Sequence, residues 1–184
     1  MSRILYYRFL VKLPVVNKPV SYSYPRYLTA KRSVDERSLN RRVWERFLEK
    51  MKERGSRLRI LEIGGGIGAT VKRIVEGLEG TNIESIHFTF VDLEPGNVGA
   101  ARENLSTWQA EREGRPSLTI EYVIADVFEF ASTASQPFDV IVGQALLDLL
   151  PLTETLTTFR PLLDEDGLWY IPIHFDGVTA FEPP

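Results

Sequence analysis

The chain has 184 residues, 43% of them hydrophobic and 26% charged, which fits one globular domain of ordinary size and excludes a disordered chain. Its net charge of -3, from 22 basic and 25 acidic side chains, provides no basic surface, so we expect no nucleic-acid partner. The sequence contains no cysteine and only two histidines, His87 and His174. This composition excludes disulfides and thiolate chemistry, and we expect no metal site.

The first segment, residues 1–32, is aromatic and basic and is broken by Pro14, Pro19 and Pro25. Basic residues interrupt its apolar stretch too often for a signal peptide, and no span approaches membrane length. We therefore expect a cytoplasmic protein that does not associate with membranes.

An amphipathic helix is predicted next. Ser33 and Glu36 have the spacing of a capping box with Ser33 at the N-cap, and Gly55 is a typical stop signal. The apolar positions between them recur at helical spacing and form one stripe: Leu39, Val43, Trp44, Phe47, Leu48 and Met51. Residues 1–56 are thus predicted to form an N-terminal arm and helix, a candidate lid, ahead of a domain over residues 57–184.

From residue 57 onward, strand and helix patterns alternate. Strands are predicted over residues 57–63, 86–91, 118–125, 138–142 and 168–175. Helices are predicted over residues 69–78, 96–112 and 152–163. This alternation is typical of an α/β fold, with a mainly parallel sheet, right-handed crossovers and helices on both faces.

A glycine-rich turn joins the first predicted strand to its helix, with the sequence Glu62-Ile63-Gly64-Gly65-Gly66-Ile67-Gly68. Such a turn brings the backbone close to a ligand at the positive end of a helix. The same run fits the dinucleotide pattern, as Gly64-x-Gly66-x-x-Ala69, so a nicotinamide-dependent oxidoreductase remains an alternative at this point.

Three carboxylates at strand ends favour a different nucleoside ligand. Glu62 would repel a pyrophosphate but attract an ammonium group. Asp92, at the end of the second strand, can accept hydrogen bonds from ribose hydroxyls. Asp126, after the third strand, can accept one from an adenine amino group, which a nicotinamide domain does not usually need, although it can also simply cap a helix.

Five motifs in order resemble those of class I S-adenosylmethionine-dependent methyltransferases. They are the glycine turn at residues 61–68, the second motif at 90–95, the stretch Ile124-Ala125-Asp126-Val127, the fourth strand and its exit at 138–145, and the turn at 162–168. The resemblance implies a Rossmann-like three-layer sandwich with strand order 3-2-1-4-5 and an N-terminal helical arm. It also implies S-adenosylmethionine as the cofactor.

The resemblance assigns the site residue by residue. Glu62 and the backbone of Gly64, Gly66 and Gly68 fall to the methionine part of the cofactor, together with Gln144. Asp92 falls to the ribose, with Glu94 as the runner-up, and Leu93 packs on the adenine. Asp126 and Val127 fall to the adenine edge. Apart from the resemblance, Lys31 or Arg32 is a candidate partner for the cofactor's carboxylate, although two basic residues before a helix are more often simply solvated.

The methyl acceptor is expected to be a small molecule, because Gly143-Gln144-Ala145-Leu146 stands where many enzymes that methylate nucleic-acid or protein amino groups carry an Asn/Asp-Pro-Pro-aromatic element. His174, at the end of the fifth predicted strand, is the candidate general base, with a packed, hydrogen-bonded histidine as the alternative. A non-catalytic module that only binds S-adenosylmethionine is the second alternative function.

Members of this family usually continue past the fifth strand into a final hairpin, whereas this sequence ends at Pro184. The apolar residues 168–173 are therefore predicted to lie at an exposed sheet edge. The N-terminal arm, a second copy in a homodimer, or further residues of a longer protein would cover that edge, and we favour the longer protein.

Overall fold

The structure is a computed structural model that describes residues 23–173. Its centre is a five-stranded sheet of β1 (Arg57–Ile63), β2 (Ser85–Asp92), β3 (Ser117–Ile124), β4 (Phe138–Val142) and β5 (Leu163–Tyr170). Six α-helices accompany the sheet in the described part: α1 (Tyr24–Ser38), α2 (Arg41–Glu53), α3 (Ala69–Gly77), α4 (Pro95–Ala110), α5 (Val127–Thr133) and α6 (Leu152–Phe159). Two short 3-10 turns, Leu147–Leu149 and Arg160–Leu162, flank α6.

All neighbouring strands pair in parallel, in the order β3-β2-β1-β4-β5. This order confirms the Rossmann-like fold class, and β1 to β4 begin and end within a residue of their predicted bounds. In a parallel sheet the carboxyl ends of all strands meet at one edge. Glu62 of β1 and Asp92 of β2 both lie at that edge, so the topology brings the predicted site together.

The sheet is buried on both faces, which explains its β-branched and aromatic strands. Residues of β1 alternate between the two cores, with Ile60 in one and Leu61 in the other. The first core receives α2, α3 and α4 through the buried residues Phe47, Met51, Val71, Ile74, Val98 and Leu105. The second receives α5 and α6 through Val127, Ala131 and Phe159.

The N-terminal helical region differs from its prediction. Two helices occupy it, and Ser33 lies inside α1 rather than at an N-cap. The chain is extended at Leu39, and the Asn40 side chain accepts hydrogen bonds from the amides of Arg42 and Val43, so Asn40 caps α2. The buried face of α2 holds Phe47 and Met51, whereas Val43, predicted on the same apolar stripe, is 55% exposed.

Two further elements differ from the sequence expectations. Strand β5 ends at Tyr170, not at residue 175, because Pro172 has no amide hydrogen to continue the ladder. It also begins earlier, at Leu163, and its register against β4 shifts between Phe138 and Val140. Helix α5 was not among the predicted elements, although Asp126 was recognised as a candidate cap. No helix between residues 23 and 173 has the length and apolarity needed to cross a membrane.

One ion-pair cluster fixes the amino end of the sheet, opposite the predicted site. Arg54, at the end of α2, lies 3.4 Å from Asp139 of β4 and 2.9 Å from Asp164 of β5. Asp139 also accepts a hydrogen bond of 2.8 Å from the Arg59 amide. The Asp139 and Arg54 side chains are 19% and 14% exposed, whereas Asp164 is 53% exposed. Asp139 therefore has a structural role at the start of β4.

Replacing Asp139 with alanine should lower the free energy of unfolding by roughly 1–3 kcal/mol, because a part-buried amide and guanidinium lose their acceptor. Asp164→Ala, which removes the exposed partner of the same arginine, should cost about 0–1 kcal/mol. Urea denaturation followed by circular dichroism measures both. Equal losses in the two variants would contradict this account of the cluster.

Candidate cofactor-binding site

The glycine turn is held against the end of β2 by backbone hydrogen bonds. The amides of Gly64 and Gly65 donate to the Val91 carbonyl at 2.8 and 3.3 Å, and the Gly66 amide donates to Oδ2 of Asp92 at 2.8 Å. These three amides are therefore engaged within the protein. The predicted contribution of Gly64 and Gly66 to a ligand then rests on their carbonyls and on close approach of the backbone.

The turn requires glycine for two separate reasons. Gly64, Gly66 and Gly68 have φ values of 64°, 58° and 82°, a region that side-chain-bearing residues rarely adopt. Gly65 has no such angle, but a Cβ there would lie 2.2 Å from the Phe90 ring beneath the turn. The loop can sit directly on the sheet only because this side chain is absent.

Gly65→Ala should therefore push the loop away from Phe90 and weaken nucleoside binding, with a loss of stability of about 1–3 kcal/mol from overpacking. Gly99→Ala is the matched control, because a Cβ at Gly99 meets no atom within 4 Å. That control lies within α4 and should gain about 0.5–1 kcal/mol of stability from its higher helix propensity. Ligand titration and thermal unfolding of both variants test this, and unchanged binding by Gly65→Ala would refute it.

Asp92 is the link between the glycine turn and α4. Besides the Gly66 amide, it accepts hydrogen bonds at Oδ1 from the Glu94 amide at 2.9 Å and from the Asn97 side chain at 3.1 Å. Asp92 is 6% exposed, while Glu94, the runner-up ribose ligand, is exposed at the N-cap of α4. The two carboxylates thus lie at the carboxyl end of the same strand, Asp92 buried and Glu94 exposed to solvent.

The residues predicted to surround the adenine lie at the ends of β2 and β3. Leu93 is 41% exposed, an open apolar surface directly after Asp92, whereas Val127 is buried. Asp126 caps α5, since its Oδ1 accepts hydrogen bonds from the amides of Phe128 at 2.8 Å and Glu129 at 3.3 Å. Capping occupies Oδ1 of Asp126, and the adenine contact remains a prediction.

Glu62 is the most unusual group of the site. It lies in the central strand, is 2% exposed, and its Oε2 has no hydrogen-bond partner among residues 23–173. Burial raises the pKa of Glu62 to about 8, against smaller opposing effects of a hydrogen bond with Thr70 and the charge of Arg73. A buried, unpartnered carboxyl oxygen beside the glycine turn is suited to a ligand that brings its own positive charge.

The raised pKa makes stability depend on pH. Folded Glu62 holds a proton that the unfolded chain releases above about 4.5, so the free energy of unfolding should fall as pH rises from 4.5 to about 8. The slope should be at most about 1.4 kcal/mol per pH unit. Urea denaturation across this window should show the slope in the wild type and a flatter profile in Glu62→Gln, with exposed Glu103→Gln as the control. An unchanged slope in Glu62→Gln would contradict the assignment.

Gln144 follows the end of β4. Its side chain is held by hydrogen bonds from α3, and its backbone is held by hydrogen bonds between the neighbouring residues and the end of β5. Its Oε1 accepts hydrogen bonds from Thr70 Oγ1 at 3.2 Å and from an Arg73 guanidinium nitrogen at 3.0 Å. On either side of it, the Gly143 amide donates to Tyr170 O at 3.1 Å and the Ala145 amide to Pro172 O at 2.9 Å. Ala145 has a φ of 51°, so backbone strain lies next to Gln144.

The structure adds residues to the site that the sequence analysis did not assign. Thr70 and Arg73 connect Glu62 with Gln144, and Asn97 holds Asp92. Leu28 of α1 lies over the glycine turn, since its Cδ1 would be 3.2 Å from a Cβ at Gly66. Thr70 and Arg73 are one turn apart on α3, the helix that follows the glycine turn. This spacing places both side chains on one face of the helix and could have identified them as neighbours of the site. No sequence pattern indicated Leu28.

The candidate general base, His174, lies outside the described residues, so its role stays a prediction. Within residues 23–173 there is no group of three or more His, Asp or Glu side chains placed to hold a metal ion.

Fold and site together define a class, a Rossmann-like methyltransferase domain with a glycine turn after β1 and a carboxylate ending β2. A family described as a methyltransferase domain matches residues 61–169, more than half of the chain. The chain therefore belongs to the methyltransferase domain family. This confirms the family and fold predicted from the five motifs.

Individual relatives agree with this membership. The methyltransferase calH of Penicillium decumbens is 30% identical over 127 residues, 66% of this chain and 32% of calH. The highly reducing polyketide synthase Preu5 of Preussia isomera is 30% identical over 113 residues, 60% of this chain and 4% of the synthase. Further fungal polyketide synthases match a similar share of the chain. This chain thus corresponds to a minor part of each of these relatives.

The crystal structure of the trans-methyltransferase CalH in complex with SAH (S-adenosylhomocysteine) superposes with a TM-score of 0.52 and 25% identity. The match covers 69% of this chain and 35% of that chain. A relative of the same fold is thus known with the product form of the predicted cofactor. None of the relatives named here is a nicotinamide-dependent oxidoreductase, the alternative that the glycine turn alone left open.

Proposed function

We propose that this chain binds S-adenosylmethionine and transfers its methyl group to a small-molecule acceptor. The observation that carries the proposal is Glu62, a buried carboxyl group whose Oε2 lacks a partner among the described residues and which lies beside the glycine turn. The α-ammonium group of the cofactor supplies the positive charge that this oxygen needs. The pyrophosphate of a nicotinamide dinucleotide is anionic and would bring no positive charge to this oxygen.

The ribose is held by Asp92 in this proposal, with a contribution from Glu94. A carboxylate offers about four acceptor positions, and three at Asp92 are used by Gly66, Glu94 and Asn97. One position then remains for a ribose hydroxyl, and the exposed Glu94 carboxylate is close in sequence to receive the second. Leu93 and Val127 provide the apolar surfaces for the adenine, and Asp126 the acceptor for its amino group.

S-adenosylmethionine, when bound, supplies an activated methyl group on a positively charged sulfur. Held by Glu62, Asp92 and the glycine turn, the cofactor would present this methyl group to the electron pair of an acceptor atom placed in line with it. The acceptor's proton leaves to a base, a role for which His174 is the candidate. The protein's main contribution is to align the two reactants and exclude water, so no universal catalytic residue is required.

The acceptor is proposed to be of the polyketide type, an oxygen-rich small molecule with carbonyl and hydroxyl groups. Polyketide synthases recur among the curated relatives, and the methyltransferase calH matches 66% of this chain. Three expectations stay predictions. They are a homodimer through the β5 edge, a cytoplasmic location, and the division of the chain into an N-terminal arm over residues 1–56 and a domain over residues 57–184.

The test is calorimetric titration with SAH and, separately, with NAD. We expect saturable binding of SAH and none of NAD. Binding at neutral pH should also release a proton, because the ligand's ammonium group stabilises ionised Glu62. Titration in buffers of different ionisation enthalpy measures that proton, and Glu62→Gln should lose it.

Absence of SAH binding, or preferential binding of NAD, would overturn the proposal. Catalysis is tested by mass spectrometry, in which incubation with S-adenosylmethionine and cell extract should yield a product heavier by one CH₂ unit. Cofactor binding without any methylated product would instead indicate the non-catalytic module.

A further inference from the structure

The hydrogen bonds around Asp92 leave only one of its two carboxylate oxygens open to a ligand. Its Oδ1 accepts hydrogen bonds from the Glu94 amide at 2.9 Å and from Nδ2 of Asn97 at 3.1 Å. Its Oδ2 accepts one, from the Gly66 amide at 2.8 Å. Each carboxylate oxygen offers about two acceptor positions, so Oδ1 is fully occupied and Oδ2 keeps one open position.

Asn97 is the donor that completes Oδ1 of Asp92, and it does so from the buried face of α4. Asn97 is 4% exposed, and its own Oδ1 has no hydrogen-bond partner among residues 23–173. The other buried residues of this face are apolar: Val98, Ala101 and Leu105. A buried amide oxygen without a partner costs free energy that an apolar side chain would not. The hydrogen bond to Asp92 is therefore the contribution that asparagine makes at this position.

Glu94 presents a second carboxylate one helical turn before Asn97. Its backbone is fixed, because its amide donates to Asp92 and its carbonyl accepts from the amides of Asn97 at 3.0 Å and Val98 at 3.2 Å. Its side chain is exposed, makes no capping hydrogen bond at the start of α4, and forms no ion pair with a described residue. The Glu94 carboxylate thus follows Asp92 by two residues with its acceptor positions open.

A ribose presents two neighbouring hydroxyl groups, which one carboxylate or two can hold. A carboxylate with an open position on each oxygen can accept one hydrogen bond from each hydroxyl. Asp92 lacks the open position on Oδ1, because the Glu94 amide and the Asn97 side chain occupy it. The second hydroxyl therefore needs an acceptor other than Asp92.

We propose that Asn97 is a positioning residue that determines how the cofactor's ribose is held. By filling Oδ1 of Asp92, Asn97 limits Asp92 to one ribose hydroxyl and leaves the other to Glu94. The inference rests on the proposed binding of S-adenosylmethionine. Asn97 acts through Asp92 and does not touch the ligand, since its side chain is buried.

The experiment is a double-mutant cycle between Asn97 and Glu94, with the affinity for SAH measured by calorimetric titration. Glu94→Gln should weaken SAH binding roughly 10-fold in the wild-type background, the loss of a hydrogen bond to a charged acceptor. In Asn97→Leu, the freed position on Oδ1 of Asp92 can accept the second hydroxyl. Glu94→Gln should therefore weaken binding by at most about threefold in that background.

Two SAH analogues, each lacking one ribose hydroxyl, test the contact of Glu94 directly. Either the 2′-deoxy or the 3′-deoxy analogue should bind the wild type and Glu94→Gln equally, because it lacks the hydroxyl that Glu94 holds. The other analogue should keep the loss measured with SAH. An equal loss with both analogues would show that Glu94 acts without holding a hydroxyl and would contradict the proposal.

Asn104→Leu is the matched control, because Asn104 lies on the same helix but donates to the Ile67 carbonyl instead of Asp92. It should leave the effect of Glu94→Gln unchanged. Thermal unfolding checks the fold of each variant, and Asn97→Leu should not lower the Tm, since it removes the buried, unpaired amide oxygen. Asn97→Ala also frees Oδ1 of Asp92 and keeps the test decisive if Asn97→Leu does not fold.

An equal effect of Glu94→Gln in the wild type and in Asn97→Leu would show a purely structural role of Asn97 and overturn the inference. Unchanged SAH binding by Glu94→Gln in the wild-type background would overturn it too, because Asp92 would then hold the ribose without Glu94. A wild-type chain that does not bind SAH would overturn the proposed function itself, which is a distinct result from either of these.

Discussion

The site depends on one buried carboxylate, Asp92, that joins two separate parts of the chain. Its two oxygens accept hydrogen bonds from the glycine turn, from the start of α4 and from the Asn97 side chain. Asp92 ends β2, which lies next to the central strand β1. It therefore fixes the glycine turn that follows β1 against α4, the helix that follows β2. The geometry at the mouth of the sheet is thus determined by hydrogen bonds that are present before any ligand arrives.

Glu62 adds an electrostatic asymmetry to this preorganised loop. A carboxyl group with a pKa of about 8 stays neutral in the free protein near neutral pH, so the interior does not carry an uncompensated charge. A cationic group that reaches Oε2 makes the charged form favourable. Proton and ligand therefore compete for the same buried oxygen, and the site discriminates by charge as well as by shape.

Local patterns predicted most of this architecture. Strands β1 to β4, the glycine turn and the carboxylates at strand ends follow from residues close together in sequence. The break between α1 and α2 did not, because the capping spacing at Ser33 looked as good as the side chain of Asn40 that actually caps α2. Arg73 was missed for a different reason: its partners Gln144 and Trp44 come from distant segments, and only the fold brings them together.

Arg54 ties α2 to β4 and β5 at the amino ends of these strands, the edge of the sheet opposite the nucleoside site. Stability and recognition are therefore supported by side chains at opposite edges, with the buried strands between them. Substitutions at two such separated places combine additively in free energy. Over evolutionary time, residues around the ligand can thus be exchanged for new substrates while the Arg54 cluster keeps the scaffold folded.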